Sequence, residues 1–260
     1  MAFSTVSRVR LAPALFASAA IISFAHGLMR ADGESAAAAA ATKPPVLVEL
    51  FTSQSCSSCP PAERYLSTLA MDEDLVVVEW HVDYWDDLVY GGAGAWKDPY
   101  SKRAHTERQR DYNLQIRDQG GVYTPQTVIA GSLETIGSRR RDVQAAIADA
   151  PAAAATLSVD HMADGRFVTV EPVENAKHDD AEVIFVRLLK QADTHVKRGE
   201  NHGKALHNTH VALQTKRLGD WSGRTAVFDL PDLGEGETCA IIVQEKDKHL
   251  GRALGAAYCA

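Results

Sequence analysis

Val46-Leu47-Val48-Glu49-Leu50-Phe51-Thr52-Ser53-Gln54-Ser55-Cys56-Ser57-Ser58-Cys59-Pro60-Pro61 decides how this chain is read. The apolar run over residues 46–51 reads as a buried strand, and residues 61–69 read as the helix after it. A Cys-x-x-Cys motif at such a junction lies where backbone N–H groups point at a sulfur. That field favours thiolate over thiol. The pattern therefore points to redox chemistry more than to packing.

Towards the N-terminus, Arg8 and Arg10 precede a short apolar core over residues 11–25, with small residues near Ala25 and Gly27. This is the grammar of a secretory signal peptide over residues 1–27, and a spanning helix would be longer. An uncleaved signal would be the only membrane contact. Residues 28–44 contain an alanine run and read as a flexible leader. The expected location is periplasmic or secreted. The net charge of −7 argues against a nucleic-acid partner, which would require a basic face.

Export alters how the four cysteines are read, because disulfides persist in an oxidising compartment. Four cysteines allow three connectivities. The simplest joins neighbours, Cys56 with Cys59 and Cys239 with Cys259. The first pair is too close for a loop-closing role. The second is a candidate structural disulfide, contributing on the order of 3 kcal/mol.

Over residues 45–150 strand and helix patterns alternate, which predicts an α/β domain. Strands are expected at 46–51, 75–82, 126–130 and 133–136. Helices are expected at 61–70, 101–116 and 139–148. His105, Arg108 and Arg110 read as a solvated helix face, and Gly91–Gly94 as a connector. Gly121-Val122-Tyr123-Thr124-Pro125 leads into the third strand. Its proline cannot donate to a sheet and belongs at the strand's entrance. A cis Thr124–Pro125 bond would set a backbone edge beside the dithiol.

This order of elements, with Val122-Tyr123-Thr124-Pro125-Gln126-Thr127-Val128-Ile129-Ala130-Gly131 before the terminal helix, resembles the thioredoxin fold. The phrases Glu49-Leu50-Phe51-Thr52-Ser53, Asp83-Tyr84-Trp85 and Gly199-Glu200-Asn201 resemble a family of secreted bacterial thioredoxin-like proteins known only as a domain of unknown function. The resemblance implies that Cys56 is the more exposed nucleophile, with a lowered pKa, and that Cys59 resolves the mixed disulfide. It implies that Thr124 and Pro125 position the substrate. Glu49 is the counterpart of the buried acid that takes a proton from the resolving cysteine. It lies one residue further from the motif than in thioredoxins. Strand alternation can turn it away, and an extra loop residue can bring it back. The prolines after Cys59 disfavour an α conformation there and leave it at the helix cap. Ser57 and Ser58 are positioned to donate to a thiolate or simply to cap the helix. Tyr84 and Trp85 either wall the dithiol or cover the core.

Residues 151–155 read as a linker. Beyond them seven short strand patterns over residues 156–260, punctuated by turns, predict a small antiparallel β-sandwich. The whole expectation is thus a thioredoxin-like domain followed by a β-sandwich. His195, His202, His207 and His210 raise the question of a metal, since thiolate and imidazole suit copper or zinc. On a strand His207 and His210 point to opposite sides, and no metal site is assigned. The expected activity is thiol–disulfide exchange on protein partners, without a cofactor. The alternative is a non-enzymatic periplasmic binding protein whose cysteines form a structural disulfide or hold copper.

Overall fold

The computed structural model describes residues 43–88, 94–162, 165–174 and 180–259. The expected signal peptide, nearly all of the leader and most of the Gly91–Gly94 connector lie outside these residues. The run before the cysteines forms β1 (Val46–Thr52), and the prolines after them open α1 (Pro60–Leu69). Then come β2 (Leu75–His81), α2 (Arg103–Arg117), β3 (Gln126–Ile129), β4 (Leu133–Ile136) and α3 (Arg140–Ala148). β1 pairs parallel with β2 and antiparallel with β3, and β3 turns back into β4. Every residue of β2 is buried, as befits a strand covered on both faces.

The later strands are β5 (Ala155–Met162), β6 (Gly165–Pro172), β7 (Ala181–His195), β8 (Ala205–Trp221), β9 (Ala226–Asp229), β10 (Glu237–Lys246) and β11 (Leu250–Tyr258). They do not close into a separate sandwich. Four of them continue the first sheet, in the order β11-β10-β7-β8-β2-β1-β3-β4. Only β5, β6 and β9 form a second sheet, of three strands. The expected thioredoxin-like domain followed by a small β-sandwich is therefore incorrect. Among the described residues, strands dominate, and one mixed eight-stranded sheet runs through both halves.

The core explains why. Val76, Val78 and Trp80 of β2 share one apolar cluster with Ile184, Val186 and Leu188 of β7 and with Ala240 and Ile242 of β10. Burying both sets together removes more apolar surface from water than two small cores would. The alternate residues of β7 and β10, among them Val183, Phe185, Ile241 and Val243, pack against Val168 and Val170 of the small sheet. Under α1 a third cluster joins Val48, Leu50, Ala62, Leu66 and Val77.

The junction of the two halves is narrow. β8 meets β2 through the single pairing Glu79–Val211. Nearby, the Tyr258 hydroxyl accepts the Val77 N–H at 2.6 Å and lies 3.0 Å from the Val77 carbonyl. A side chain thus completes the backbone hydrogen bonding that a neighbouring strand would otherwise supply. At the other end, Gly131 has φ +64°, and a Cβ there would come within 2.8 Å of the Gly251 carbonyl. The β3–β4 turn is thereby pressed against β11.

Candidate functional site

The dithiol loop leaves the C-terminal end of β1, where strand ends in α/β sheets present ligand sites. Cys56 N–H donates to the Ser53 carbonyl and Cys59 N–H to the Cys56 carbonyl, giving a short coil that runs into α1. Cys59 is the N-cap residue, as its following prolines predict, yet its φ/ψ of −80°/−38° is already helical. Its carbonyl accepts the N–H groups of Ala62 and Glu63, so the proline pair occupies positions that need no donor. Cys56 and Cys59 are disulfide-bonded, as are Cys239 and Cys259. The Ser58 hydroxyl stands 3.3 Å from Cys56 Sγ.

Both motif cysteines have no exposed surface, so Cys56 is not the open nucleophile that the resemblance implies. The cover comes from far along the chain. Residues 196–204, between β7 and β8, fold over the dithiol loop. Asn201, itself fully buried, donates from Nδ2 to the carbonyls of Gln54 and Cys56, both at 2.9 Å. Glu200 Oε2 accepts the Ser57 N–H at 2.9 Å. Gly199 has φ +72°, and a Cβ there would lie 3.2 Å from Trp96 Cβ. Trp96 is in turn tied to the dithiol loop, its carbonyl accepting the Ser55 hydroxyl and its ring N–H donating to Gln54. The phrase Gly199-Glu200-Asn201 is therefore part of the site.

Behind the loop lies a buried charged cluster. Alternation along β2 sends Glu79 and His81 to the α1 face, with Leu75 and Val77. His81 Nδ1 is 2.6 Å from Asp98 Oδ2, and His81 Nε2 is 3.1 Å from Glu79 Oε1. Asp98 also accepts the Gln54 N–H at 2.8 Å, which connects the cluster to the dithiol loop. Asn208 Nδ2 donates to Glu79 at 2.6 Å. Burial alone would push the imidazole down, but the Asp98 charge and the hydrogen bonds to both acids hold it well above its ordinary value. Burial likewise opposes ionisation of Asp98, and the facing His81 nevertheless keeps it below the usual carboxylate range. Both shifts favour an imidazolium facing a carboxylate.

Glu63 completes the cluster. It lies on α1 four residues after Cys59, so the two side chains share one helix face. It is buried and accepts the Thr52 hydroxyl at 2.7 Å. Burial, then the Glu79 charge, pushes its carboxyl up to about 8, against the opposing Thr52 hydrogen bond and His81 charge. A group with that affinity holds a proton at neutral pH and can exchange it near a thiol's own range.

Glu49, the acid expected from the sequence, lies on the other face of the sheet. Its carboxylate takes Arg108 Nε at 2.7 Å, the Trp80 indole at 2.9 Å and the Tyr112 hydroxyl at 2.5 Å. It packs below α2, away from the face that carries α1 and Glu63. Arg108 is mostly covered and His105 is buried, which pushes its imidazole down to about 4. The expectation that these two residues belong to a solvated face is incorrect, because α2 docks its polar side chains onto the sheet. Thr124–Pro125 is a cis peptide. The register opposes Phe51 with Gln126, so this pair sits beyond the same end of β1 as the dithiol loop. Trp85 donates to Thr124 Oγ1 at 2.8 Å, while Tyr84 and Trp85 also cover the main core.

Of the second-half histidines, His202 belongs to the covering loop and is exposed. His207 pairs with Asp193 on the surface, and His210 faces the Tyr258 hydroxyl. Among the described residues no group of three or more His, Cys, Asp or Glu is arranged to hold a metal. Among the same residues no helix is long and apolar enough to cross a membrane. Sequence reading missed Glu63, Glu79, His81, Asp98 and Asn201. One signal was present: Glu79 and His81, two apart in an otherwise apolar strand, must share a face.

Fold and site together define a mixed-sheet protein with a buried Cys-x-x-Cys disulfide at a helix start and a charged cluster behind it. Residues 47–244 match the family described as "protein of unknown function (DUF1223)", and the chain belongs to that family. It is similar to the X-ray structure of protein AGR_C_4864 from Agrobacterium tumefaciens, with 26% identity and a TM-score of 0.68, over 82% of this chain and 92% of that one. HBP35 of Porphyromonas gingivalis shares the fold at 13% identity and a TM-score of 0.54, over 83% of this chain and 74% of that one. No curated protein matches the chain.

Proposed function

We propose that this protein is an exported thiol–disulfide oxidoreductase acting on protein cysteines through Cys56 and Cys59. The observation that carries the reading is a redox-capable pair at the start of α1 with the protonatable Glu63 one turn along the same face. In the reducing direction, the Cys56 thiolate attacks one sulfur of a substrate disulfide. The substrate S–S bond breaks, one substrate thiolate leaves, and a mixed disulfide forms. The ionised fraction of Glu63, small at neutral pH and growing towards pH 8, takes the Cys59 proton, and Cys59 attacks the Cys56 sulfur. The second substrate thiolate then leaves, so the substrate gains two electrons and Cys56–Cys59 becomes a disulfide. The oxidising direction is the reverse.

A kinship with thioredoxins is supported by the strand, dithiol, helix and strand order and by Thr124 and Pro125 at the dithiol's end of β1. Thr124 and Pro125 would align the substrate backbone. A periplasmic or secreted location fits two disulfides and the charged-then-apolar start of the chain. One observation favours the second reading, a binding protein with an inert disulfide: neither motif sulfur is exposed. Insulin-reduction and disulfide-isomerisation assays, with Cys56→Ser as control, separate the two. Turnover lost in the variant supports the oxidoreductase, and inactivity of the wild type on every substrate supports the binding protein.

A further inference from the structure

The loop that covers the dithiol brings a carboxylate to the backbone amide next to the nucleophile. Glu200 Oε2 holds the Ser57 N–H, across 143 residues of sequence. In the coil that leads into α1, N–H groups beside the sulfur are what would stabilise its anion. Glu200 removes one of them from that role and adds a negative charge of its own. The position is not accidental to a loose loop. Residues 196–204 are braced by Val196 N–H to the Lys204 carbonyl at 3.0 Å and Gly203 N–H to the Val196 carbonyl at 2.8 Å. Asn201 locks the same loop to the Gln54 and Cys56 carbonyls, and Lys204 Nζ reaches Asn201 Oδ1 at 2.8 Å.

We infer that Glu200 is a positioning residue that suppresses the thiolate of Cys56 while the loop is closed, so that the dithiol becomes fully nucleophilic only when a partner displaces Glu200 from the Ser57 amide. The inference rests on the reading of Cys56–Cys59 as a working dithiol. The partner is a protein segment whose own acceptor, a backbone carbonyl without charge, can take the Ser57 N–H in place of the carboxylate. Such a substitution removes the charge from beside the dithiol loop.

The test is the pH dependence of Cys56 alkylation by iodoacetamide in the full chain carrying Cys59→Ser, with the adduct located by mass spectrometry. Glu200→Gln keeps an oxygen for the Ser57 N–H but removes the charge. It is expected to lower the alkylation midpoint by about one pH unit, roughly a tenfold gain in thiolate below that midpoint. Raising the salt concentration should lower the midpoint with Glu200 present and leave Glu200→Gln unmoved, because the interaction is screened. An unchanged midpoint in Glu200→Gln, or a salt response equal in both, overturns the inference. A shifted midpoint in a protein inactive on all disulfide substrates would instead sink the oxidoreductase reading and leave the Glu200 effect standing.

Discussion

At the scale of single residues, the cluster behind the dithiol combines two kinds of buried charge. His81 and Asp98 compensate each other, whereas Glu63 avoids charge by keeping its proton. The consequence is a pH dependence of stability with a definite sign. Between the ordinary 4.5 and the folded value of about 8, the unfolded chain has released a proton that folded Glu63 retains. Wild-type stability therefore falls as pH rises through that window. Glu63→Gln removes this dependence. From about pH 4 to about pH 8 the unfolding free energy of the variant in urea titrations should rise relative to wild type, by an amount on the order of a few kcal/mol. A difference that does not change with pH would mean that Glu63 is ionised in the folded protein. This residue was invisible to a reading that sought the acid in β1. An acid in the first turn of a helix has an ordinary explanation in the helix dipole, and only the depth of α1's packing shows otherwise.

Among elements, the boundary between β2 and β8 is the weak seam of the large sheet, with one backbone pairing at Glu79–Val211 and the Tyr258 hydroxyl beside it. Tyr258→Phe removes the acceptor of the Val77 N–H and keeps the ring. The expected cost is about 1–3 kcal/mol in a denaturant titration, with faster hydrogen exchange at the Val77 amide. Retained protection at Val77 would show that water substitutes for the hydroxyl. The β7–β8 hairpin works at the same scale. Its strands span 15 and 17 residues, long enough for the sheet at one end and the dithiol cover at the other. The strand patterns were legible in the sequence over 182–189 and 207–218. The extensions to His195 and Ala205 were not, since they are more exposed and lack the apolar alternation that marks a strand.

For the whole molecule, one sheet and one shared core make the halves depend on each other. A fragment of residues 43–150 would expose the β2 edge and the Val76, Val78 and Trp80 face. It should give a poorly dispersed NMR spectrum and no cooperative unfolding. A well-dispersed spectrum would mean that the first half is an independent domain. At the other end of the sheet, Cys239–Cys259 ties β10 to β11 where the Cys259 N–H meets the Cys239 carbonyl at 2.8 Å. That pairing joined cysteines close in sequence and was legible for that reason.

By itself, the sequence determined the local elements: the strand before the cysteines, the helix that begins at the prolines and the alternating strands of the second half. These are set by periodicities of two and 3.6 residues and by proline geometry, which act over a few residues at a time. Tertiary structure alone decided that β8 lies against β2, that Glu49 answers Arg108 instead of Cys59, and that Glu200 and Asn201 close over Cys56. An alternating pattern says which face of a strand is apolar but not which strand lies beside it. Partners more than 140 residues apart, as Ser57 and Glu200 are, meet only through the packing of the whole chain.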